Sequence, residues 1–374
     1  MKKYLLSFTV LMSATLFTAC NNDSDNSPKT YPVAVTNGVF VVGSGNQSSG
    51  KNGSLTYYDY TTKSATKDIF SSVNGLSLGM TANDALRYGD KVYVVVDGEN
   101  SVFVLNAKNM QLINRINLAG ATMLGETDGV SPRRITADED KIYVSTYGGY
   151  VAAIDTVNFA LAAKYQAGSY PEGVMVDDGF LYVANSDYGY GNASITVINL
   201  KTKETRTISD ENIRNPQEIA VAGSDIYYLD WGQYGPAPDY AQEHAGVYRI
   251  SSTGVKLLIP NATGMTCYGT KIYTFNDVYG SSEGITYSCY DITSDILIPL
   301  NLKDIDSPAA MGVDPITDYL FVASRKLEGG YPSYTTDGYV NFYDTTKYEK
   351  KGSFTCGVGP TRIAFNFGVR YITY

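Results

Sequence analysis

Short hydrophobic runs of strand character recur along the chain, separated by stretches rich in Gly, Asn, Asp, Ser and Thr. They read Val39-Phe40-Val41-Val42, Lys91-Val92-Tyr93-Val94, Lys141-Ile142-Tyr143-Val144, Phe180-Leu181-Tyr182-Val183, Asp225-Ile226-Tyr227-Tyr228, Lys271-Ile272-Tyr273-Thr274 and Tyr319-Leu320-Phe321-Val322. Their aromatic positions 40, 93, 143, 182, 227, 273 and 321 are spaced 53, 50, 39, 45, 46 and 48 residues apart. A near-constant period of this size marks repeating supersecondary units.

Other features keep the same period. A second strand follows most runs and ends in Asp or Asn, at 55–59, 102–106, 151–155, 195–199, 285–291 and 340–344. A turn and a third short strand come next. Pro leads a further alternating strand ahead of most runs, at Pro132, Pro171, Pro216, Pro308 and Pro360. No 15-residue window carries a clear helical period. Four short strands per unit predict an all-β chain, a seven-bladed β-propeller of four-stranded antiparallel blades. The chain end, at 361–366 or 369–373, is expected to supply a strand to the first blade. A ring of six or eight blades is the alternative, because the first and last units match the pattern least. Nothing inside 31–374 reads as a linker, so this span is predicted to be one domain, although length alone suggests two.

The first thirty residues follow different rules. Met1-Lys2-Lys3 is basic, 4–17 is apolar but too short for a stable bilayer span, and Phe17-Thr18-Ala19 precede Cys20. This resembles a bacterial lipoprotein signal peptide with its lipobox. Residues 1–19 are therefore expected to be the signal peptide. Cys20 is expected to carry the lipid that anchors the chain in an outer membrane. Residues 20–30, polar and acidic, read as a flexible tether. Such a tether resembles the surface-export signal of Bacteroidetes lipoproteins, which predicts exposure at the cell surface.

Composition narrows the function. The net charge is −9 and the pI about 4.8. Loss of Lys2 and Lys3 with the signal would make the charge −11. Without a basic tract, such a chain lacks the means to neutralise phosphates, so no nucleic-acid partner is expected. One His, and three Cys beside the Cys20 expected to be lipidated, exclude His-rich and four-cysteine metal sites. His244, beside Glu243, reads as a solvated loop residue rather than a metal ligand. Cys267, Cys289 and Cys356 are an odd set. Cys267 and Cys289 could pair, but each lies in a strand-like run with another strand between, so buried free thiols are favoured.

The chain holds 33 Tyr against 13 Phe. Tyr93, Tyr143, Tyr182, Tyr227 and Tyr273 recur at one strand position and read as core. With strands named A to D outwards from the channel, the B–C loops and D–A turns share one rim. The predicted B–C loops at 43–53, 184–194, 230–246, 276–284 and 323–338 are long and unlike one another. Binding residues concentrate on such loops. Those loops and the shorter one of the third unit hold Tyr147, Tyr150, Tyr188, Tyr190, Trp231, Tyr234, Tyr240, Tyr279, Tyr331 and Tyr334. Turn chemistry does not ask for Tyr, whereas Tyr gives rigid amphipathic contact area. Arg133, Arg134 and Arg362 follow the Pro of their D–A turns, and Arg325 lies in the last B–C loop. They are candidates for a phosphate, carboxylate or amide oxygen. Equally, they are candidates to pair with Glu172 and Glu218 at matching positions of adjacent blades. The ligand-binding set is thus Arg133, Arg134, Tyr147, Tyr188, Tyr190, Trp231, Tyr234, Tyr279, Arg325, Tyr331, Tyr334 and Arg362.

No nucleophile elbow or nucleophile–base motif is present, so no enzyme activity and no cofactor are expected. Glu172, Asn185, Asn215, Glu218 and Asp230 leave a calcium-dependent propeller hydrolase as an alternative, and stacking on sugars leaves a glycan-binding surface propeller. The repeated Ile-Tyr-Val strand, the Pro-led strand and the Asp-Thr turn resemble YncE-like seven-bladed propellers over 31–374. With the lipoprotein head, the acidic tether and the Tyr-rich rim, the chain looks like the BtuG family of surface cobalamin-binding lipoproteins. That resemblance implies capture of cobalamin or a related corrinoid and transfer to a TonB-dependent outer-membrane transporter. The free protein is expected to be a monomer.

Overall fold

The computed structural model describes residues 30–236, 240–279 and 284–373. The expected signal peptide, the expected lipidation site Cys20 and nearly all of the expected tether lie outside the described residues. Among the described residues there are seven four-stranded antiparallel sheets and two small two-stranded hairpins. The third sheet is typical: Pro132–Asp138, Lys141–Thr146, Tyr150–Asp155 and Leu161–Gln166 follow in order from the centre outwards. The architecture is a β-propeller, and the sheets are called blades below.

The first blade is composite. Thr30–Gly43, Ser54–Asp59 and Ser64–Thr66 form its outer part. Its innermost strand is Pro360–Thr373, from the other end of the chain, paired from Thr30↔Thr373 to Gly43↔Pro360. Both segments expected to close the ring belong to this one strand. A short helix, Ile69–Asn74, follows the first blade and was not signalled by any helical period. Asp68 caps it, and Phe70 is buried against the second blade.

Seven apolar clusters hold the blades together, each bridging two consecutive sheets. Phe40 and Leu55 meet Val92, Val94 and Phe103 between the first and second blades. Val39 and Val41 meet Phe321, Phe342 and Phe365 between the seventh and the first. The second strand of each blade is buried on both faces, which is why the repeating runs are almost continuously hydrophobic. Tyr93, Tyr143, Tyr227 and Tyr273 are buried in these clusters, and Tyr182 packs half-buried against one.

The Asp or Asn that ends the third strand has a local cause. Asp59, Asp155, Asn199, Asp291 and Asp344 each accept two backbone N–H groups of the following turn, at 2.6–3.2 Å. Four residues after each Asx, the backbone is left-handed, at Lys63, Phe159, Lys203, Asp295 and Tyr348. The sequence repeat is thus one side-chain-capped turn used over and over. The three cysteines are free thiols, and burial pushes Cys267 and Cys356 up to about 12, so they are inert.

Candidate functional site

The two rims differ as the pattern required. On one, Asp138 and Lys141 are joined by a two-residue turn, and so are Asp177 and Phe180. On the other, the second and third strands of a blade are joined by longer segments: 44–53, 186–193, 231–245, 277–285 and 326–336. Two of these carry their own hairpins, Gln233–Tyr234 with Gln242–Glu243 and Leu327–Glu328 with Tyr331–Pro332.

At the channel mouth of this rim the inner strands converge and their charges meet. Arg133 holds Glu172 through Nε at 3.1 Å and Asp97 through Nη1 at 3.0 Å. Arg362 holds Asp84 through Nε at 2.7 Å and Glu218 through Nη1 at 3.2 Å. Arg134 meets the other oxygen of Glu218 at 3.0 Å. Burial works against the charge on Arg362, yet Asp84 and Glu218 outweigh it and hold its pKa above the ordinary value. Glu172 and Glu218 are the partners that the sequence offered as alternatives to a ligand. Only Glu172 lies on an adjacent blade; Glu218, on the fifth blade, is reached from the first and third across the channel. Inner strands that point at one axis allow this, whatever their order around the ring.

Arg134, Gln217, Glu218, Trp231, Met265, Met311 and Arg362 help line a cavity of about 50 Å³ at this mouth. That is room for a few waters.

The rim aromatics form two groups. Tyr147, Tyr170 and Tyr188 pack edge to face, with ring centroids 4.7–5.3 Å apart, and Tyr190 lies 6.3 Å from Tyr188. Arg133 sits 4.4 Å over the Tyr147 ring, whose hydroxyl donates to Glu172. Burial, and then Glu172, push the Tyr147 phenol well above its ordinary value. Tyr147 is thus fixed as a floor, and Tyr188 and Tyr190 stand exposed above it. Tyr170 and Tyr188 both have left-handed backbone, φ 49° and 52°, a conformation that disfavours bulky residues. Strain of about 1 kcal/mol or more at such a residue persists where the surroundings fix it, and it collects at functional sites. Tyr170 directly precedes the strand-leading Pro171.

The second group comes from the last three blades. Tyr234 and Tyr279 lie 6.3 Å apart, and Tyr334 lies under Arg325 at 5.1 Å. Trp231 is half-exposed and donates from Nε1 to the Thr263 carbonyl at 3.0 Å. Tyr331 is 76% exposed at the tip of its hairpin. Tyr150 differs: it packs half-buried under Lys164 and belongs to the blade wall.

The acidic and amide set considered for calcium is engaged elsewhere. Asp230 accepts the backbone N–H groups of Arg214, Asn215 and Gly232, and burial lifts its carboxyl to about 6. Asn185 binds Gly168, Ser194 and Thr196. Among the described residues, no group of three His, Cys, Asp or Glu is placed to hold a metal ion. His244 is exposed, with left-handed backbone, and its carbonyl accepts the Tyr248 hydroxyl.

Similar solved structures share the fold at low identity. Hydrazine synthase of Kuenenia stuttgartiensis aligns with a TM-score of 0.57 at 14% identity, covering 78% of this chain and 95% of that one. A Bacteroides uniformis protein provisionally assigned as a 6-phosphogluconolactonase aligns with a TM-score of 0.54 at 12% identity, covering 90% and 99%. A functionally unknown protein of Desulfotomaculum acetoxidans aligns at 0.51 and 13%, covering 72% and 81%. At these identities the likeness is one of fold. No curated protein matches the sequence. A family model does match, over residues 37–225, from the first blade to the start of the second strand of the fifth. That span is just over half of the chain, and the chain belongs to this family, described as a domain of unknown function, DUF5074.

Proposed function

We propose that this propeller is a binding protein, not an enzyme, and that its ligand is cobalamin or a related corrinoid held on the aromatic rim. The observation that carries the reading is the set of exposed rings on one rim: Tyr188, Tyr190, Trp231, Tyr234, Tyr279, Tyr331 and Tyr334. A corrin is a broad apolar face fringed by amides. Tyr and Trp stack on such a face while hydroxyls and backbone groups meet the amides. The small channel cavity suits a ligand that lies across the rim rather than inside it.

Lipidation at Cys20, placement at the outer-membrane surface and delivery to a TonB-dependent transporter belong to the same proposal. The first strand begins at Thr30 and reaches the rim at Gly43. The tether therefore joins the propeller on the face opposite the rim, leaving the aromatic surface turned away from its own point of attachment.

Isothermal titration of the chain from Asn21 onward with cyanocobalamin tests this. Saturable heat, lost in a Trp231→Ala/Tyr334→Ala double variant that still melts cooperatively, is the expected result. No heat with cyanocobalamin would sink the reading, and heat with oligosaccharides instead would replace it with glycan binding.

A further inference from the structure

The four arginines that the sequence offers as rim candidates do not share one fate. Arg133, Arg134 and Arg362 each face at least one carboxylate within 3.2 Å. Arg325, at the end of strand Tyr319–Arg325, faces none within 4 Å among the described residues. Its Nε is buried and has no hydrogen-bond partner among the described residues. Its guanidinium carbon lies 5.1 Å over the Tyr334 ring. Asp277 attracts it from beyond ion-pair distance, while burial holds the Asp277 carboxyl above its ordinary range.

This is a poor arrangement for the protein alone. A desolvated cation without a hydrogen-bonded counter-charge is destabilising. Arg stays charged at any physiological pH, so it does not escape by losing its proton. Stacking on a tyrosine returns only part of the lost hydration. The unused donors of a guanidinium fork match the paired oxygens of a carboxylate or phosphate. Exposed Tyr334 is beside it, Tyr234 is close enough to Tyr334 to interact with it, and Tyr279 lies 6.3 Å from Tyr234.

We infer that Arg325 and Tyr334 form an anion-recognition subsite on the rim, taking the phosphate or carboxylate of a ligand whose planar body rests on the neighbouring tyrosines. The inference rests on the reading of the rim as a binding surface, but not on the ligand being a corrinoid. The other three arginines, already neutralised, have no such role.

Nitrogen-15 NMR of the arginine side chains tests it, with phenyl phosphate, benzoate and phenol as probes. One Nε–H resonance, absent from Arg325→Gln, is expected to shift saturably with at least one of the two anions and not with phenol. Arg325→Lys keeps the charge but loses the fork, and it is expected to weaken the anion about tenfold. Arg325→Gln should melt no lower than the parent protein, because it removes an uncompensated charge. No saturable shift with either anion, an equal shift with phenol, or a shift that survives Arg325→Gln would overturn the subsite. A persistent anion response together with no cyanocobalamin heat would refute the corrinoid and leave the subsite standing.

Discussion

Deleting Pro360–Thr373 is expected to abolish folding. That strand is the innermost of the first blade, and its loss leaves Thr30–Gly43 with an open edge. Ile363, Phe365 and Phe367 leave the cluster between the seventh and first blades. Three buried side chains of this size are worth of the order of 6 kcal/mol, before the lost ladder hydrogen bonds. A whole domain is stable by about 5–15 kcal/mol. A milder probe of the same junction is Asp314. Its fully buried carboxylate on the seventh blade accepts the Thr36 hydroxyl at 2.7 Å and the Tyr60 hydroxyl at 2.9 Å, both from the first blade. Thr317 and the Ile316 N–H complete the set. Asp314→Ala orphans all four donors and is expected to cost about 3 kcal/mol in urea unfolding. A cooperative melt of the truncated chain close to that of the parent would refute ring closure as the source of stability.

The second large effect belongs to the channel. Arg362→Met is expected to cost about 3–5 kcal/mol, the usual result of removing one member of a buried ion pair. Among the described residues it leaves Asp84, 1% exposed, with the Ala85 and Ile135 N–H groups as partners. It also takes from Glu218 the contact that ties the fifth blade to the first. Adding Asp84→Asn to Arg362→Met should recover at least about 1 kcal/mol, as coupled neighbours do. A loss under about 1 kcal/mol for Arg362→Met alone would show that the network is solvated in solution.

What the sequence revealed depended on whether the cause was local. The strand tyrosines and the Asx-ended strands were legible, because burial between blades and a capped turn act on each repeat separately. The two-ended first blade was legible as well, since a ring needs a closing strand. The arginines were found but their partners were only half read. Glu218 lies 84 residues from Arg134 and 144 from Arg362, a pairing that exists only once the ring has closed. Arg325 was indistinguishable from the others for the same reason. Tyr170 was missed because a residue before Pro reads as extended, whereas its backbone here is left-handed and turns the ring onto Tyr188.

Hydrogen–deuterium exchange with and without cyanocobalamin bears most directly on the claim that the aromatic rim is the binding surface. Protection is expected in 186–193, 231–236 and 326–336, with no change in the opposite turns at 139–140 and 178–179. Protection confined to those opposite turns, or none on the rim at saturating ligand, would contradict it.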